Sequence, residues 1–364
     1  MPPPADDPTA SAASLRVPLV YPFEAPPQRG QSLQVLPGVF WVRMPLPYAL
    51  DHINLWVLDD GEGWAIVDTG TRTDEVAAVW RDLFSKAPDS RSVSRVFVTH
   101  MHPDHVGMAG WLTRRFGVRL WMSRLEYMNC RVVLADTGRE APPDGTAFYR
   151  RAGWGDAALE RYRVRFGSFG NHVHALPDSY RRLQDGETLR IGAHDWQVVM
   201  GSGHSPEHAC LYCPGLKLFI SGDQVLPRIS SNVSVYPLEP DADPLADWLA
   251  SLQTIRARVP DDVLVLPSHN DVFRGLHARL DALEQGQAKA LERLRRRLTE
   301  PRRAIDVFGA LFARAIGEGD EHLLGMATGE SVACLNHLWH RGEVLREADA
   351  DGVWWYRLAG QPST

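Results

Sequence analysis

The sequence predicts an α/β (α+β) chain: an αββα sandwich of two mixed sheets with helices outside, followed by a small winged-helix domain. Three observations predict it. Hydrophobic residues make up 44% and charged residues 23% of 364 residues, so a large core can form. Strand-like and helix-like segments run twice through a similar order, over 33–120 and 188–280. Beyond residue 286, three helical stretches precede a two-stranded hairpin.

The elements follow from local patterning. Residues 33–45 read as two short strands broken at Pro37-Gly38. Residues 54–58 and 64–68 are strands joined by the turn Asp59-Asp60-Gly61-Glu62-Gly63. Val76, Val79, Trp80 and Leu83 recur at helical spacing within 73–85. Residues 95–100 form a buried strand, 107–116 a helix and 118–121 a further strand. Residues 123–185 are aromatic-rich, with Tyr127, Phe148, Tyr149, Trp154, Tyr162, Phe166 and Phe169, and read as a helical insertion over the site. Strands resume at 188–191, 196–200, 209–212, 217–220 and 263–266, with a helix at 244–259. Helices at 275–299, 304–316 and 329–339, the last capped near Thr328, lead to the hairpin 343–357. The expected division is a flexible lead (1–31), a catalytic domain (32–285) and a winged helix (286–364).

The net charge of −6 makes no electrostatic case for nucleic acid or an anionic membrane. No run approaches the roughly 18 apolar residues of a membrane span. The Pro- and Ala-rich lead lacks a basic stretch followed by an apolar one, so a cytoplasmic protein is expected. Cys130, Cys210, Cys213 and Cys334 are too few for a disulfide framework in this length. A single Cys210-x-x-Cys213 reads as two thiols in or beside a strand rather than a zinc ribbon, which needs a second pair.

The run Thr99-His100-Met101-His102-Pro103-Asp104-His105 concentrates four potential ligands in six residues. A buried strand delivers them and Pro103 is expected to stop its ladder, so the side chains project into a cleft. His100 and His102 can converge on one ion, and Asp104 and His105 can face a second. Neutral imidazole with carboxylate suits zinc, with iron or manganese as lesser options. His204, Asp223 and His269 each follow another strand, and the Asp223 carboxylate could bridge two ions.

In these residues the chain resembles the metallo-β-lactamase-fold superfamily. Its HxHxDH motif stands as His100–His105, the later His as His204, the bridging Asp as Asp223, the last His as His269 and the upstream Asp as Asp68. The resemblance covers about residues 33–280. It implies one metal held by His100, His102 and His204 and a second by Asp104, His105 and His269, with Asp223 bridging and Asp68 orienting a ligand or loop. The winged helix and the run from Ser221 to Ser234 resemble the branch that includes a beta-lactamase-like endoribonuclease. Zinc β-lactamases lack a bridging Asp at the Asp223 position, and flavodiiron proteins have Glu where this chain has His102.

Two ions held about 3.5–4 Å apart by such residues would supply an activated water for attack on a carbonyl or phosphoryl centre. Asp104 and Asp223 are expected to hold the ions and to relay the proton. His208 is a candidate for the substrate or for supporting a ligand. Arg228 and Asn232, in the loop after Asp223, are candidates for the substrate, Arg228 through an anionic group. Ser202 and Ser205 read as small loop residues. The leading expectation is a dinuclear zinc hydrolase acting on a small ester, thioester or lactone. The alternatives are a ribonuclease or phosphodiesterase, and a non-catalytic metalloprotein whose winged helix binds a protein. Arg293–Arg303 favours nucleic acid, but residues 304–364 hold nine acidic side chains against four basic ones. The winged helix is therefore read as a lid or homodimer module.

Overall fold

The computed structural model describes residues 19–360 apart from 48, 49, 87–90, 314, 318 and 320. Of the expected lead, residues 1–18 lie outside the described residues. Residues 19–31 lie along the body: Val20 and Arg274 exchange main-chain hydrogen bonds, and Phe23 packs edge-on against Trp41.

Two sheets face each other. The first has seven strands in sequence order: β1 (Ser32–Leu36), β2 (Val39–Pro45), β3 (His52–Asp59), β4 (Gly63–Val67), β5 (Ser92–Phe97), β6 (Leu120–Met122) and β7 (Arg181–Arg182). The second has five, ordered β12-β11-β10-β9-β8: β8 (Thr188–Ile191), β9 (His194–Gly201), β10 (His208–Cys213), β11 (Leu218–Gly222) and β12 (Leu264–Pro267). Trp41, Trp56, Leu58 and Phe97 meet Trp196, Val198, Leu211 and Ile220 between the sheets. Alternate residues of the same strands, such as Val42, Met44, Ile53 and Leu55, turn outward onto helices. Burial on both faces explains why these strands read as near-continuous apolar runs.

Helix α1 (Asp74–Ser85), the short α2 (Pro103–Val106), α3 (Ala109–Phe116) and α4 (Arg124–Ala135) are the first helices among the described residues. Val76, Trp80, Leu112 and Tyr127 seal the outer face of the first sheet. Thr73 caps α1 by accepting from Val76 N–H at 3.1 Å. After α4 come α5 (Pro143–Arg151) and α6 (Asp156–Arg165), and the segment ends in the two-residue β7. Its aromatics Phe148, Tyr149, Trp154 and Tyr162 are core residues.

Helices α7 (Pro244–Arg258) and α8 (Leu276–Arg297) cover the second sheet. Helix α8 runs unbroken through residue 286, where the sequence suggested a boundary. After it come α9 (Phe308–Leu311), α10 (Glu321–His340) and the hairpin β13 (Val344–Ala348) and β14 (Trp354–Leu358). Leu294, Leu335, Leu338 and Tyr356 share one continuous core with Phe219 and Trp248. Helix α10 begins earlier than expected, so Thr328 is not its cap: the hydroxyl donates to Leu324 O and accepts from Trp154 Nε1. The expected helix at 304–316 is a 3-10 turn followed by the four-residue α9. No helix of the described residues is long and apolar enough to cross a membrane.

Candidate metal centre

Strands β4 and β5 run parallel, as do β11 and β12. β9 points the same way as β11, because each is antiparallel to β10. The residues after these strands therefore gather at one edge of the sandwich: Asp68, His100, His204, Asp223 and His269. The ladder of β5 ends at Phe97, three residues before His100. Asp68 is the reason: its Oδ1 accepts from Thr99 N–H at 2.8 Å, which takes that donor away from the sheet. Pro103 is not the ladder stop the sequence suggested. It opens α2, where its missing N–H costs nothing.

His100, His102 and His204 offer ligand atoms within 4.8 Å of one another, and Asp104, His105 and His269 do the same. In the first group His100 Nε2 lies 2.9 Å from His102 Nδ1 and 3.1 Å from His204 Nε2. In the second, Asp104 Oδ2 lies 3.4 Å from His269 Nε2 and 3.7 Å from His105 Nε2. Asp223 stands between them. Its Oδ2 is 3.5 Å from His204 Nε2, and its Oδ1 is 3.5 Å from both His105 Nε2 and His269 Nε2.

The imidazoles are held from behind. His204 Nδ1–H donates to Asn232 O at 2.7 Å, and His269 Nδ1–H donates to His52 O at 3.0 Å. His105 Nδ1–H donates to Asp68 Oδ2 at 2.8 Å. Each contact spends the Nδ1 proton and leaves Nε2 to the centre, the usual arrangement of a metal-ligating histidine. Asp68 also accepts from Thr99 Oγ1 and sits at φ +61°, a left-handed conformation costly for Asp. That strain places one carboxylate behind two parts of the motif.

Electrostatics supply a direct test of fit. Burial, reinforced by the neighbouring imidazoles, holds His100 well below the usual histidine range and His102 down at about 3. Burial also lowers His204. Burial opposes charge on Asp104 and Asp223 too, but His105 and His269 outweigh it, keeping Asp104 at about 2 and Asp223 well below its ordinary value. Burial likewise opposes charge on His105 and His269, yet Asp104 and Asp223 raise both, His269 to about 10. Buried carboxylates thus demand positive charge in their midst. His105 Nε2 and Asp223 Oδ1 are buried with no hydrogen-bond partner among the described residues. Three imidazoles held neutral, two carboxylates held ionised and these two orphaned atoms fit divalent ions, whose charge would replace that of the protons on His105 and His269.

All seven proposed ligands come together here, with Asp68 behind them. The other candidates divide. His208 is fully buried, its ring stacked 4.8 Å from that of His100, and its Nε2 accepts from Asp223 N–H. It backs Asp223 through this hydrogen bond. Asn232 turns its carbonyl to His204 and its side-chain amide away. Arg228 is drawn off by Asp271, 2.7 Å away, and lies over the Tyr21 ring. Cys210 and Cys213, three apart on β10, face opposite sides of the sheet and do not converge.

Three supporting residues were not singled out from the sequence. Asn54 Nδ2 donates to Pro267 O and Asn270 O, bracketing His269. His52 accepts from His269 through its carbonyl and from Asn270 N–H through Nε2. Two polar residues in the apolar strand 52–58 were the available signal. Glu126, fully buried on α4, accepts from Met101 N–H at 2.9 Å and Glu207 N–H at 2.8 Å. It ties the His100–His105 loop to the His204–His208 loop, and no local pattern announced it. Glu126→Gln replaces one acceptor with a donor facing a backbone N–H. Denaturant unfolding of this variant is expected to show a loss of about 1–3 kcal/mol. Unchanged stability would mean that the tie carries no weight.

The family model "Metallo-beta-lactamase superfamily" matches residues 49–269, and "Metallo-beta-lactamase-like, C-terminal domain" matches residues 291–359. The crystal structure of a beta-lactamase domain protein from Burkholderia ambifaria is 42% identical with a TM-score of 0.85, covering 94% of this chain and 98% of that one. An atrochrysone carboxyl ACP thioesterase of Aspergillus fumigatus is 24% identical over 266 residues, 70% of this chain and 47% of the relative. A human acyl-coenzyme A thioesterase is 25% identical over 199 residues, 52% of this chain and 63% of the relative. The match thus spans about half of the first relative's length and under two thirds of the second's.

Proposed function

The chain belongs to the metallo-beta-lactamase superfamily, and on that premise we propose that it is a dinuclear zinc hydrolase of ester-type bonds, thioesters first. The observation that carries this reading is Asp223, whose two oxygens face two separate groups of three ligands. Zinc ions held there would supply Lewis acidity and a water acidic near neutral pH. Manganese or iron would suit the same donors less closely.

The chain's own residues do the rest. His100, His102 and His204 would hold one ion, Asp104, His105 and His269 the other, and Asp223 would span both. Asp104 is the more exposed carboxylate, 19% against 10% for Asp223, which supports it as the group that would take the proton of the attacking water. Asp68, Asn232 and His52 keep three imidazoles aimed while the acyl centre turns over.

Thioesters come first because the two named relatives are thioesterases. Nucleic acid is a weaker reading, for the basic run is largely spent inside the chain. Arg295 pairs with Glu343, Arg296 with Glu292, Arg302 with Glu300 and Arg303 with Asp306. Such a surface leaves little for phosphates.

Metal analysis followed by a substrate panel tests the proposal. About two zinc ions per chain, with turnover of acyl thioesters that a chelator abolishes, is the expected result. Cleavage of single-stranded RNA with no thioester turnover would reverse the order of the readings. A His102→Ala variant that binds zinc as wild type does would overturn the ligand set.

A further inference from the structure

Helix α10 lies in the C-terminal region, yet it reaches the segment that carries Asp223. Residues 223–243 form no regular element and are fastened to α10 along their length. Val235 N–H donates to Gly329 O at 3.0 Å. Asn336 Nδ2 donates to Pro240 O and Ala242 O at 3.0 and 2.9 Å. His337 Nδ1 lies 3.1 Å from Asp243 Oδ1. Nearest the centre, Asn232 Nδ2 donates to Glu330 Oε2 at 3.0 Å, while Ser234 Oγ donates to Asn232 Oδ1 at 2.6 Å. The same Asn232 accepts from His204 Nδ1 through its main-chain oxygen at 2.7 Å.

We propose that Glu330 is a positioning residue of the metal centre: by clamping the Asn232 amide it fixes the carbonyl that aims His204 Nε2. The inference rests on the two-metal reading. The Asn232 side chain is gripped at both ends, by Glu330 on its nitrogen and Ser234 on its oxygen, so its backbone cannot swing without breaking one of them. That backbone oxygen is the hydrogen-bond partner of His204 Nδ1. Burial pushes the Glu330 carboxyl up to about 7, and the Asn232 hydrogen bond works against that push. A carboxylate placed at such a cost, with no cation paired to it among the described residues, has its use in this contact. The C-terminal region thereby completes the centre instead of only flanking it.

Competition titration of the full chain with Zn2+ alone tests this. Glu330→Ala is expected to weaken zinc binding about tenfold, the scale for residues that orient a ligand. Glu330→Gln, whose Oε1 still accepts from Asn232, is expected to stay close to wild type. Asn232→Ala should weaken binding to a similar degree, and adding Glu330→Ala to it should cost nothing more, because both act through one amide. If Glu330→Ala does not fold, Ser234→Ala frees the other end of that amide and is read in the same way. Unchanged affinity in Glu330→Ala, or losses that add in the double variant, would overturn the proposal. A lower melting temperature of the metal-free chain with intact zinc affinity would also overturn it, leaving α10 a packing role. A wild-type chain that takes up no zinc would instead sink the two-metal reading.

Discussion

Asp223→Ala is expected to lower kcat/KM by on the order of 1,000-fold, equivalent to about 4 kcal/mol of transition-state stabilisation. Zinc content should fall from about two ions per chain to about one or fewer. The expectation follows from position. Each oxygen of Asp223 faces a different ligand group, so its loss removes a donor from both ions at once. It also removes the negative charge that, with Asp104, raises His105 and His269. Arg228→Ala is the matched control. Its side chain is spent on Asp271, so activity should stay within about twofold, as for a surface substitution away from the site. A Asp223→Ala enzyme that kept two zinc ions and a tenth of its activity would show that the carboxylate is not a bridge.

Gly222→Ala is expected to destabilise the fold by about 2–4 kcal/mol, through overpacking and an unfavourable backbone. Gly222 ends β11 at φ +53°, and a Cβ there would lie 2.4 Å from His208 Cε1 and 2.5 Å from its Nε2. The ring cannot retreat, for it is fully buried and stacked on His100. Displacing it would break the contact from Asp223 N–H to His208 Nε2 and shift Asp223. Urea unfolding of the metal-free chain measures the first effect and zinc titration the second. A variant as stable as wild type would mean that the strand end and His208 can relax together, contrary to their packing.

Much of the molecule was legible from local pattern. The alternation in β2 and β3, the turn at Asp59-Gly63 and the period of α1 are short-range properties, and they appear where the residues put them. The cluster His100–His105 was legible because four donors in six residues have few other uses. Element ends were less so. β5 stops at Phe97 because Asp68, some thirty residues upstream, captures Thr99 N–H. Helix α10 starts at Glu321, so Thr328 lies inside it, its hydroxyl bonded to Leu324 O of the same helix and to Trp154 of the insertion. Neither contact is visible in a window of neighbouring residues.

The sequence by itself determined the class of fold and picked out the candidate donors, because strand periodicity and ligand chemistry are written in adjacent residues. Tertiary structure decided what each donor faces. It set His208 behind Asp223, turned Arg228 to Asp271, and made Glu126 and Glu330 supports for loops distant in the chain. The physical reason is range. A strand or a motif is made by neighbours a few residues apart, whereas the direction of an imidazole is set by a hydrogen bond to a carbonyl or carboxylate that only the packed fold brings within 3 Å.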